Sequence, residues 1–140
     1  AAIRATESDI EKMKAELKAM RSLLMNTRQF VNRDKMFHHH IAVASGNIVF
    51  IWFIDLLQKV LAKGQLIHAR GDHAQLVISE HERILDAIQA RDPEMARAQM
   101  LAHLTLSKAY THRQAGIELR VSPVNKWAPR KKSRGSDGSF

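Results

Sequence analysis

The sequence predicts an all-α protein, an antiparallel helical bundle of about five helices. Three observations carry this. Apolar residues recur at spacings of three and four along most of the first 119 positions, which is the period of one helix face. Asp92-Pro93-Glu94 is a helix start, with Asp as N-cap, Pro at the first helical position and an acid in the first turn. No strand is left over, because the β-branched residues sit inside helical periods.

The first helix is expected over residues 6–25, where Ile10, Met13, Leu17, Met20 and Leu24 form a stripe and Ser8 with Glu11 reads as a capping box. A second runs from Thr27 to Ala44 with Phe30, Phe37 and Ile41 inward, and Ser45-Gly46-Asn47 interrupts it. The third, Ile48 to Lys63, is apolar nearly all round, so it is expected to be the central, most buried helix, with Gly64 as its stop. Residues 64–73 read as a loop containing Gly64 and Gly71. The fourth helix, Ala74 to Ala90, should bury Leu76, Ile84, Leu85 and Ile88. The last begins at Asp92-Pro93 and runs to about Leu119, with Met100, Leu104 and Ala115 inward, and Pro123 bars continuation. The expected organisation is one helical domain over residues 1–120 and a basic, flexible tail over 121–140.

Composition narrows the function classes. Hydrophobic residues make up 45% of the 140 and charged residues 26%, ordinary values for a chain that builds a core. Cysteine is absent, which excludes a disulfide framework, a thiolate nucleophile and every cysteine-ligated zinc site. The longest strongly apolar run, Ile48 to Leu57, is broken by Asp55 and falls short of the ~18–20 residues of a membrane span. The N-terminus shows no secretory signal pattern and no initiator Met. A soluble, cytoplasmic protein, processed or part of a longer chain, is the expectation.

The net charge of +8 is uneven: residues 120–140 carry six basic side chains against Asp137 alone, so +5 lies there and +3 on the preceding 119 residues. Arg130, Lys131, Lys132 and Arg134 could contact phosphates. A solubilising end explains them more simply, and aromatic interleaving beyond Trp127 is lacking.

The eight histidines matter for their placement. Asp34 and His38, four apart on one helix, point from the same face. His81 and His103 have their midpoint at 92, so in an antiparallel pair turning at Asp92-Pro93 the two imidazoles come level. A buried imidazole pair needs a shared metal, hydrogen-bonding partners or a depressed pKa. Three imidazoles and one carboxylate suit Zn²⁺, Ni²⁺, Mn²⁺ or Fe²⁺, with one or two coordination positions left for water or a ligand. Each residue alone is more economically read as a core histidine, or as a surface acid pairing with Lys35 or Arg33. Together, at this register, the four read as one metal site. His39, His40, His68, His73 and His112 carry no assigned role, and Glu80 and Glu82, flanking His81, are expected to face elsewhere.

At these residues the chain resembles a known family. Asp34-Lys-Met-Phe37-His38, then Ile41-Ala-Val-Ala-Ser45-Gly46-Asn47, then Glu80-His81-Glu-Arg-Ile84-Leu85-Asp-Ala87-Ile88 with Asp92 and Ala96, then His103-Leu104, are similar to the effector-binding C-terminal domain of GntR-type bacterial transcription regulators of the fatty-acid-regulator subfamily, the FCD domain. The resemblance spans roughly residues 1–119. It implies an all-helical bundle whose metal ligands fall on Asp34, His38, His81 and His103, with a small carboxylic acid effector at or beside the ion. It also implies a homodimer, and operator DNA bound only through an N-terminal winged helix-turn-helix that these 140 residues are expected to lack. Asn47 is then a candidate for contacting the effector or a metal-bound water, or else the cap of the following helix.

Two other classes compete. A metal-dependent helical-bundle enzyme would use the same four residues to activate water, but there is no His-Glu-x-x-His pair and no repeated Glu-x-x-His. A structural dimerisation module would need no metal. A non-enzymatic sensor is the expectation.

Overall fold

The computed structural model describes residues 1–68 and 71–114. Five helices follow one another: α1 (Glu7–Ser22), α2 (Thr27–Ala44), α3 (Ile48–His68), α4 (Gly71–Gln89) and α5 (Pro93–Gln114), and no strand occurs among the described residues. The expected tail over 121–140, the end of the last helix near Leu119, and Ala115 and Pro123 lie outside the described residues.

Short connections force each helix to double back, and the cross-helix pairs show it. His39 meets Asp55 and the Lys35 carbonyl meets Gln58, so partners on α2 and α3 have nearly constant summed positions. Glu80 with His103 and His73 with Tyr110 do the same for α4 and α5. That relation is the signature of antiparallel neighbours.

The core is built from α1, α2 and α4. Met13, Met20, Phe30, Phe37, Ile84 and Ile88 are fully enclosed, and α1 packs on both α2 and α4 while α5 packs on α4. The buried face of α4 is Ala74, Val77, Ile78, His81, Ile84, Leu85 and Ile88. Leu76, expected inside, stands 58% exposed, because two residues on from Ala74 is 200° around the helix.

Three further expectations are corrected. The capping box of α1 is Thr6 with Asp9: Thr6 Oγ1 accepts from Asp9 N at 3.1 Å and Asp9 Oδ2 accepts from Thr6 N at 2.9 Å. Aspartate reaches back as glutamate would, so the box closes two residues before Ser8. The hydrogen bonds from the Thr6 backbone and then its hydroxyl hold the Asp9 carboxyl below its ordinary pKa. Gly64 does not stop α3, which runs on to His68, and α4 begins at Gly71 rather than Ala74. One glycine among good helix formers costs only about 1 kcal/mol, which the flanking residues absorb. Finally, α3 is not the central helix. Val49, Trp52, Phe53, Leu56 and Val60 are more than half exposed, and α3 rests on α2, with lighter contact to α5 and α4. Its apolar composition reports exposed surface here, not burial. No helix among the described residues is long and apolar enough to cross a membrane.

Candidate metal centre

Three helices aim polar groups at one point. Helix α2 supplies Asp34 and His38 one turn apart, α4 supplies His81 and α5 supplies His103. Phe37, immobilised in the core, stacks on the His81 ring with centroids 4.5 Å apart and planes 19° from parallel. That contact fixes the imidazole's plane. Nε2 of His81 lies 3.4 Å from Nε2 of His103 and 3.5 Å from Oδ1 of Asp34. Asp34 Oδ1 is 4.0 Å from His38 Nε2. Each of the three histidines offers a ring nitrogen, and these nitrogens all fall within 4.8 Å of one another. With metal–nitrogen bonds of about 2.0–2.1 Å, two nitrogens sharing a tetrahedral ion stand roughly 3.3 Å apart. The His81–His103 separation fits that spacing.

Burial sets the charge state. It lowers the pKa of His38 to about 3, helped by His103, and lowers that of His81 well below the ordinary range, helped by His38 and His103. Both rings are therefore neutral at pH 7, the form that donates a lone pair. Burial also raises the Asp34 carboxyl to about 7, against the opposing pull of Lys35. A cation among these groups would return Asp34 to its ionised form.

Glu80 belongs to the site, contrary to the expectation that it faces elsewhere. Its Oε2 accepts from His103 Nδ1 at 2.8 Å, and both side chains are buried. Holding the proton on Nδ1 leaves Nε2 of His103 as the lone-pair nitrogen facing His81. Glu82 does turn away, pairing with Arg21 across α1 and α4. Nδ1 of His81 is buried with no partner among the described residues.

The remaining histidines do other things. His39 pairs with Asp55 at 2.8 Å, and His40 lies 3.6 Å from Glu16, which also faces Arg33 at 3.4 Å. His73 sits on α4, not in a loop, and stacks on Tyr110 with centroids 3.5 Å apart. Asn47 is placed as a cap: its Oδ1 accepts from Val49 N at 3.0 Å and Phe50 N at 3.2 Å, at the exposed start of α3. It does not line the space beside the histidines.

That space is a cavity of about 410 Å³ whose wall includes Asp34, His38 and His103. The rest of its wall is largely apolar, with Val31, Leu57 and Leu104 among side chains from α2, α3 and α5, and also carries Gln58, Ser107 and Thr111.

The family model of the FCD domain matches residues 1–106. The chain belongs to the FCD domain family. Relatives of this FCD domain are GntR-type transcription regulators. It is 31% identical over 111 residues to the HTH-type transcriptional regulator LutR of Bacillus subtilis, covering 75% of this chain and 51% of the relative. With the HTH-type transcriptional repressor NanR of Cronobacter sakazakii the identity is 30% over 107 residues, 74% of this chain and 41% of the relative. With the Uxu operon regulator of Haemophilus influenzae it is 29% over 124 residues, 84% and 47%. The FCD chain thus spans about half the length of the curated relatives it matches. These relatives are named as regulators and repressors, and the FCD domain is a regulatory rather than catalytic module.

Proposed function

We propose that this chain is the ligand-sensing domain of a GntR-type transcription regulator, binding a divalent transition metal through Asp34, His38, His81 and His103 and a small carboxylic acid in the adjoining cavity. The single observation that carries the reading is the convergence of these four donors from three helices, two of the imidazoles held neutral by burial. When bound, the ion supplies a Lewis-acid position on which a carboxylate can displace water.

The chain's own residues do the rest. Glu80 keeps His103 in the Nδ1–H tautomer, Phe37 keeps the His81 ring in plane, and the apolar cavity wall excludes water around the acid's body. Because α2, α4 and α5 each contribute donors, an acid held beside them favours one mutual arrangement of these helices. Only unequal affinity for two arrangements can shift the balance between them. In the regulator the shift would be read by a winged helix-turn-helix domain elsewhere in the protein. In a cytoplasmic homodimer it would alter how two such domains reach a two-fold operator.

The test is the metal content of untagged protein purified without chelator, by elemental mass spectrometry. The expected result is about one equivalent of Zn, Ni, Mn or Fe per chain, lost in the His103→Ala and His81→Ala variants. Metal-free protein that takes up none of these ions would overturn the reading.

A further inference from the structure

The cavity beside the histidines has a second polar end. Along α5 its wall runs from His103 through Leu104, Ser107, Lys108 and Thr111 to His112. At 1.5 Å per residue Lys108 and His112 lie roughly 7 and 14 Å along the helix axis from His103. Helix α2 runs the other way, so Val31 sits toward that far end while Asp34 and His38 sit at the near one. The Lys108 ammonium has no acidic partner among the described residues. Nδ1 of His112 is buried without a hydrogen-bond partner among them. A buried polar atom left unpaired in a cavity wall calls for a ligand or water.

Resting on the proposed sensing function, we infer that the acid this cavity takes is an elongated dicarboxylate with an apolar middle. One carboxylate sits at the Asp34–His38–His103 end and the second sits between Lys108 and His112. The charge pattern decides the class. A divalent ion at the near end offers a coordination position that a carboxylate can take, and Lys108 supplies a cation at the far end. Leu57 and Leu104 line the same cavity. A coordination position at one end and a cation at the other match a dianion charged at both tips. A monoacid leaves the far cation unpaired.

The experiment is calorimetric titration of the full chain, loaded with Zn²⁺, with straight-chain α,ω-dicarboxylates from succinate to suberate and with the monocarboxylates of equal length. One diacid of intermediate or greater length should bind about tenfold or more tighter than its monoacid, the scale of one charge-assisted contact. Lys108→Met, an exposed position where the stem is kept, should erase most of that advantage. It should leave metal content and monoacid affinity unchanged. His112→Gln, which keeps a hydrogen-bonding head, should retain more of the advantage than His112→Leu. Equal affinity for diacids and monoacids, or a Lys108→Met variant that keeps the preference, overturns the dicarboxylate assignment and leaves the sensing function standing. Failure of the metal-loaded chain to bind either series overturns both.

Discussion

His103 is engaged at both ring nitrogens, by Glu80 at Nδ1 and by His81 at Nε2. A carboxylate behind a ligating imidazole fixes its tautomer and raises its basicity, and removing such a partner typically costs ten- to a hundredfold in metal affinity. Glu80→Ala is therefore expected to weaken Zn²⁺ binding by about that factor, with Glu80→Gln intermediate because an amide oxygen still accepts from Nδ1–H without the charge. A competition titration against a chromophoric chelator measures it, and unchanged affinity in both variants would remove Glu80 from the site. Asp34 and His38 were legible in the sequence from their helical spacing, and His81 and His103 from their symmetry about Asp92. Glu80 was not. Its partner lies across the α4–α5 pair, and the observed register places His103 level with a point between residues 80 and 81, so both meet it. Spacing along a single helix carries no sign of a half-residue offset between two.

At the scale of elements, two glycines carry the same local signal with different outcomes. Gly46 ends α2 at φ +67, in the left-handed region, between a Ser45 that closes the last turn and an Asn47 that caps α3. Gly64 continues a helix. What separates them in the sequence is residue type: Ser45 and Asn47 flank Gly46, whereas Lys63, Gln65 and Leu66 next to Gly64 are helix formers rather than capping residues. A Cβ at position 46 would meet Arg4 Nη1 at 3.2 Å, a flexible group that can step aside, so the backbone conformation sets most of the cost. Gly46→Ala should lower stability by roughly 1 kcal/mol or slightly more, read as a lower denaturant midpoint at constant slope. The end of α2 and the start of α5 were readable from Ser45-Gly46-Asn47 and from Asp92-Pro93; in the structure Asn26 and Asp92 cap their helices through Gln29 and Met95. The burial of α3 was not readable, since an apolar helix looks the same to its own sequence whether or not neighbours cover it. The αL turn at Arg91 was also hidden: no glycine marks it, and the Arg91 guanidinium is tied instead to the Ala5 carbonyl and to Glu7.

For the molecule as a whole, burial of the site has a signed pH dependence in the metal-free state. Below about pH 6.5 the unfolded chain protonates His38 and His81, which the folded chain keeps neutral, so their contribution to stability is lost as pH falls. Asp34 opposes this: folded, it holds its proton up to about pH 7, and the unfolded chain releases it near the ordinary carboxyl value. Two protons against one leave a net uptake of about one on unfolding between roughly pH 4.5 and 6, so stability should rise with pH there. Denaturant titrations in EDTA across that range should show the rise, and His38→Asn should abolish it. A slope unaffected by that substitution would contradict the burial argument.

The donors come from α2, α4 and α5, and α1 contributes none. Any ion held by all four groups therefore acts as a non-covalent cross-link between positions 34 and 103, half the chain apart. Such a closure removes configurational freedom from the opened chain as a long covalent loop would, while costing little in the closed one. Amide hydrogen exchange in α5, which carries His103, should then slow on metal addition far more than exchange in α1, which bears no donor.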